Sequence, residues 1–121
     1  MFKIISANLN GIRSATQKGF LDYLQKSSAD VVCVQELKAQ QADLTASMQN
    51  PDGYHGVFHY AEKKGYSGVG IYSKEKPSQV QIGLGIPEFD AEGRYLRADF
   101  SNNLSVIALY LTSVSSSEER Q

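Results

Sequence analysis

The chain has one cysteine, Cys33, in 121 residues. No internal disulfide can form, which suits a reducing compartment. Cys33 lies inside an apolar run, where an inert packed thiol is the expected role. An excess of charge of one sign is also missing. Twelve Lys and Arg oppose thirteen Asp and Glu, for a net charge of -1 and a pI near 6.1. That excludes a broadly basic nucleic-acid footprint but leaves room for a local one. No apolar run approaches the roughly 18 residues a membrane span needs. The start, Met1-Phe2-Lys3-Ile4-Ile5 followed by Ser6 and Asn8, shows neither a signal-peptide apolar region nor a cleavage pattern. No membrane partner and a cytoplasmic location are the expectations. There is no aspartate-rich cluster and no glycine-rich phosphate loop. His55 and His59 fall in an expected strand, on one face but well separated, and nothing nearby supplies a third ligand at zinc-site spacing.

What is present is an ordinary globular composition, 41% hydrophobic and 21% charged, at a length that fits one domain. The chain is organised around Val31-Val32-Cys33-Val34-Gln35-Glu36-Leu37-Lys38. A continuous apolar run bounded by polar residues suits a strand covered on both faces. Glu36 then stands where that strand ends, and in open α/β sheets ligands gather at the carboxyl ends of strands.

Residues 3–7 read as a strand that runs into Asn8-Leu9-Asn10-Gly11-Ile12-Arg13, a turn rich in amide groups. Ser14 is expected to cap a helix over about 15–26, with Phe20, Leu21 and Leu24 toward the sheet. Strand, helix and the Val31 strand make a βαβ unit, so the two strands should be parallel. Their carboxyl ends then share one edge, which brings together Asn8, Asn10 and Glu36.

Residues 40–49 form a weak helical segment closed by the turn Asn50-Pro51-Asp52-Gly53. Strands are expected over 54–60, 66–73, 79–82, 95–100 and 104–111, with 83–92 as a loop. Gly68 and Gly70 mark either a bulge or a close approach of another group. Residues 112–117 read as a serine-rich loop and 117–121 as the capped first turn of a helix.

A carboxylate with amide oxygens at converging strand ends suits magnesium, which takes oxygen ligands and keeps several waters. Glu36 would be the anionic ligand. Asn8 and Asn10 would be ligands, or would orient water and phosphate. Tyr110, at another strand end, could hydrogen-bond a phosphate, or act in acid–base chemistry if its pKa were lowered. Arg13 and Lys38 could pair with backbone phosphates.

The ordered blocks Ile4-Ile5-Ser6-Ala7-Asn8-Leu9-Asn10-Gly11-Ile12-Arg13, Asp30-Val31-Val32-Cys33-Val34-Gln35-Glu36-Leu37-Lys38, Gly65-Tyr66-Ser67-Gly68-Val69, Phe89-Asp90-Ala91-Glu92-Gly93-Arg94 and Leu109-Tyr110-Leu111 closely resemble the exodeoxyribonuclease III and abasic-site endonuclease family. The resemblance implies an α/β fold, the N-terminal half of a four-layer sandwich in which two packed mixed sheets are flanked by helices. It implies magnesium, with manganese as a substitute, held at Glu36, Asn8 and Asn10, and Tyr110 as the active-site tyrosine. Arg13, Lys38, Tyr66 and Arg94 are implied to lie near DNA. The implied partner is double-stranded DNA with abasic sites or 3′ ends, and the implied reaction is phosphodiester hydrolysis.

Two departures accompany the resemblance. Thr112-Ser113-Val114 stands where relatives carry a Pro-Ser-Gly-like turn. Family members are also about twice as long, near the size limit of one large domain, and the aspartates, asparagine and histidine of their second half have no counterpart here. Residues 1–121 are therefore expected to form a partial domain with negligible activity alone, self-associating through an uncovered apolar face. The alternatives are a non-catalytic remnant with weak metal and DNA binding, or a superfamily phosphoesterase acting on a phosphodiester other than DNA.

Overall fold

The computed structural model describes residues 2–111. The expectations for 112–121 lie outside the described residues. Among the described residues seven strands form two sheets. The first sheet has the order β1-β2-β4-β3, from β1 (Ile4–Asn8), β2 (Val31–Gln35), β3 (His55–His59) and β4 (Val69–Ser73). β1 and β2 are parallel, Ile4 opposite Val31 through Asn8 opposite Gln35, as the βαβ reading requires. The other pairs are antiparallel. The second sheet is β5 (Gln79–Ile82), β6 (Tyr95–Asp99) and β7 (Ser105–Leu109), all antiparallel.

β2 is covered on both faces, which explains its unbroken apolar run. Val32, Val34 and Tyr72 pack with Ile12, Phe20 and Leu24 of the helices. Val31, Cys33, Val69 and Ile71 pack on Leu96, Ala98, Val106 and Ala108 of the second sheet. Burial pushes the Cys33 thiol up to about 11, which fits the inert core role. The layers among the described residues are thus helix, sheet and sheet.

The helix expected over 15–26 is two helices, α1 (Ile12–Gln17) and α2 (Phe20–Ser27). Gly19 between them adopts φ +101, a left-handed conformation that glycine takes without a Cβ penalty and that no helix interior uses. Gly11, not Ser14, precedes α1, and no side chain caps it. The apolar period running on through Phe20 and Leu24 concealed the break. The segment 40–49 holds a single 3-10 turn and the short α3 (Ala46–Gln49), capped by the Thr45 side chain. The expected loop 83–92 carries α4 (Pro87–Asp90), with proline in its first turn as helix starts favour. β4 pairs regularly on both sides, so Gly68 and Gly70 make room. A Cβ on Gly70 would lie 2.6 Å from the Phe58 ring, and one on Gly68 3.0 Å from Leu37.

Candidate active site at three strand ends

The site is built on a loop under backbone strain. Immediately past β2 the chain turns left-handed at Glu36 (φ 55) and again at Lys38 (φ 50), and Asn10 after β1 does the same (φ 48). Such conformations cost non-glycine residues roughly 1–3 kcal/mol each and persist only where surroundings enforce them. The enforcement is visible. The amides of Leu9, Gly11 and Ile12 donate to the carbonyls of Gln35, Glu36 and Leu37 at 2.9, 2.8 and 2.9 Å. From the other side, Leu37 and Lys38 donate to Gly68 and Ser67 at 3.1 and 2.8 Å. The loop after β2 is therefore clamped between the loop after β1 and the segment leading into β4. Leu37, fully buried, anchors it.

This clamp aims the side chains. Asn8 ends β1 on the face turned toward the second sheet, beside Gln35. Its Oδ1 accepts from the Asn10 amide at 2.9 Å, and its side chain helps lower the pKa of the neighbouring Glu36 carboxyl. Tyr110 follows β7, placed by its amide donating to the Arg94 carbonyl at 3.0 Å. Its hydroxyl donates to Glu36 Oε2 at 2.6 Å, across 74 residues of chain. The Lys38 ammonium donates to Asn10 Oδ1 at 2.5 Å and stands 3.8 Å from Glu36 Oε1. The three strand ends thus deliver Asn8, Asn10, Glu36, Lys38 and Tyr110 to one place; the strand-edge argument required this of Asn8, Asn10 and Glu36.

The electrostatics follow from these contacts. The Tyr110 hydroxyl, the Asn8 side chain and the Lys38 charge hold the Glu36 carboxyl below its usual range, against the opposing effect of burial. Tyr110 moves the other way. Donating to Glu36 raises its pKa, burial and the carboxylate charge add to this, and the Arg94 charge opposes it. The lowered pKa that a basic tyrosine would need is not found. In this arrangement Tyr110 is a hydrogen-bond donor.

Among the described residues no group of three or more His, Cys, Asp and Glu gathers to hold a metal. His59 instead has its Nδ1 2.8 Å from the Tyr95 carbonyl. The donors around Glu36 are a single carboxylate and amide oxygens. This all-oxygen set fits a hard cation that retains water, and does not fit zinc.

The remaining sequence-derived residues divide. Arg94 is half-buried beneath the site. Its guanidinium lies 5.3 Å from the Tyr110 ring centre, donates to the Tyr110 carbonyl at 3.3 Å and pairs with Glu92. Tyr66 is exposed and carries the Lys63 ammonium 4.2 Å from its ring centre. Both line a cleft of about 280 Å³ with Lys63, Ser67 and Glu92. Arg13 is exposed on α1, and among the described residues it makes no hydrogen bond or ion pair with the Glu36 cluster. Sequence reasoning missed a second cleft of about 310 Å³, where Lys18 and Tyr23 join Asn8, Asn10 and Ser14. The signal that could have found it is Gly19, whose break between α1 and α2 opens that wall.

Comparison with known proteins agrees with this geometry. Residues 5–120 match the model of the Endonuclease/Exonuclease/phosphatase family. The exodeoxyribonuclease of Bacillus subtilis (strain 168) is 46% identical over 103 residues, 83% of this chain and 39% of that protein. The DNA-(apurinic or apyrimidinic site) endonuclease of Dictyostelium discoideum is 39% identical over 81% of this chain and 27% of its own length. The solved AP endonuclease of Archaeoglobus fulgidus superposes with a TM-score of 0.77 at 34% identity, covering 91% of this chain and 41% of that one. The chain therefore spans less than half the length of these relatives. Within that span, order, fold and sequence agree, and the chain belongs to the endonuclease/exonuclease/phosphatase family, with exodeoxyribonucleases and abasic-site endonucleases as its relatives.

Proposed function

We propose that this chain supplies the cation-binding and phosphate-facing part of a magnesium-dependent DNA phosphodiesterase of exonuclease III type, acting at abasic sites or 3′ ends. The observation that carries the proposal is the 2.6 Å contact between Tyr110 and Glu36. It joins the two sheets exactly where a strained, clamped loop presents the carboxylate. Glu36 and Asn10 would hold the ion, and Asn8 orients both. A bound magnesium would neutralise phosphate charge and polarise the scissile phosphoryl group. Tyr110, kept protonated, donates a hydrogen bond toward the same region and would pass it to a phosphate oxygen. Lys63, Tyr66 and Arg94 on one side, and Arg13 and Lys18 on the other, would meet the backbone phosphates, giving position without sequence preference.

Hydrolysis also needs a group that takes a proton from the attacking water. Among the described residues, Glu36 accepts from Tyr110 and pairs with the Lys38 ammonium, and Tyr110 is the donor, so neither is free for that task. The chain by itself is accordingly proposed to have negligible turnover, and to self-associate through its exposed apolar residues. The single buried cysteine supports the reducing cytoplasm as its compartment.

The test is a chimera in which residues 2–111 replace the matching segment of the Bacillus subtilis exodeoxyribonuclease. With magnesium it should nick an abasic-site duplex, and Glu36→Gln should lower that rate by about 100-fold or more. A folded chimera that leaves the duplex intact, or whose rate survives Glu36→Gln, contradicts the proposal.

A further inference from the structure

Lys38 has a place in this site that phosphate contact does not explain. Its ammonium does not point away to await an anion. It sits 2.5 Å from Asn10 Oδ1 and 3.8 Å from Glu36 Oε1, the two oxygens that the cation reading assigns to the ion. We propose that Lys38 is the built-in counter-cation of the site, and that a divalent ion enters only by displacing its ammonium. This rests on the cation-binding reading above and goes beyond it.

Three observations support the displacement. Of the two side chains the geometry places on the Glu36 carboxylate, only Lys38 carries charge, 3.8 Å from Oε1; Tyr110 is a neutral donor to Oε2 that can remain on a carboxylate bound to a metal. The loop carrying Lys38 is left-handed at residues 36 and 38 and pinned at the Lys38 amide by Ser67, so the ammonium is delivered to the oxygens by a backbone that would otherwise relax. The Lys38 side chain is also 42% exposed against 18% for Glu36. The ammonium therefore has a path to water, whereas the carboxylate stays in place. An ammonium and a divalent ion held on the same two oxygens repel each other, and the compact, strongly hydrated ammonium on a flexible stem is the group suited to leave. The apparent affinity of the ion is then reduced by the fraction of molecules in which Lys38 still holds the oxygens.

The experiment is a magnesium titration of the 121-residue chain, labelled with ¹³C and ¹⁵N, at fixed pH and ionic strength. The Lys38 signals are assigned with Lys38→Arg. The Lys38 Cε and Nζ resonances should shift saturably, with the same midpoint as the Glu36 carboxyl carbon. Lys38→Met should bind magnesium about threefold more tightly or better. Lys26→Met, which removes an equal charge on α2, should bind as the unsubstituted chain does. If Glu36 responds while Lys38 stays where it was, or if Lys38→Met binds no more tightly, the counter-cation role is overturned and the cation site stands. If neither residue responds to magnesium, the cation reading falls and takes this inference with it.

Discussion

In the four-stranded sheet, β2 and β4 are buried along almost their whole length, whereas in the three-stranded sheet β5 is exposed throughout and β7 turns Ile107 and Leu109 to solvent. The first sheet is covered by helices on one side and by the second sheet on the other. The second sheet has, among the described residues, only one covered face. The site takes four of its five central side chains from the well-covered sheet and only Tyr110 from the other. A strained loop can be held only where the packing around it is rigid, so Glu36, Lys38 and Asn10 lie at the end of β1 and β2. The second sheet lends a single long side chain that can reach across.

The comparison can be broken most strongly in the shared core. Ile71→Ala in β4 should cost about 2–5 kcal/mol, as cavity-forming changes at buried sites do. Ile82→Ala in β5, 61% exposed, should stay within about 0.5 kcal/mol. Urea unfolding of the two variants measures the contrast. Next in size is Gly68→Ala. Its φ of +90 and the 3.0 Å approach to Leu37 should make it destabilising by more than about 1 kcal/mol. It should also shift the amide resonances of Leu37 and Lys38, whose hydrogen bonds reach that segment.

A smaller effect is expected where the two sheets touch through the site. Tyr110→Phe removes the donor to Glu36 and should cost about 1 kcal/mol. The Glu36 carboxyl is depressed in the folded chain. It therefore adds stability above its unfolded pKa of about 4.3, which is lost as pH falls through the folded value. Tyr110→Phe should move the carboxyl midpoint upward, read by ¹³C NMR, and flatten the acid side of the stability profile. The smallest change in stability is expected for Ile107→Lys with Leu109→Lys, within about 0.5 kcal/mol. The same pair should weaken self-association in sedimentation experiments, because it charges an exposed apolar edge.

The buried sheet was also the legible one. The unbroken apolar run of β2 announced a strand covered twice, and its parallel pairing with β1 followed from the helical residues between them. Glu36, Asn8 and Asn10 could be placed on one edge from that alone. The strand pattern put Tyr110 at another strand end, but its contact with Glu36 could not be derived, because nothing local links two residues so far apart. The left-handed turns at Glu36, Lys38 and Asn10 were invisible because no glycine marks them, and they are enforced by hydrogen bonds from neighbouring loops. The cleft at Lys18 and Tyr23 was hidden with the helix break at Gly19. The apolar period predicts one helix, and a lone glycine, which helices tolerate, does not by itself signal the break at Gly19.

The central claim is that Glu36 and Asn10, oriented by Asn8 and with Tyr110 beside them, form the proposed site for a divalent cation. Manganese added in small amounts to the ¹⁵N- and ¹³C-labelled chain tests it most directly, because its paramagnetism broadens only nearby resonances. The account predicts that signals of these four residues broaden first and that Glu36→Gln abolishes the effect. Broadening centred on another part of the molecule, or unchanged in Glu36→Gln, would contradict it.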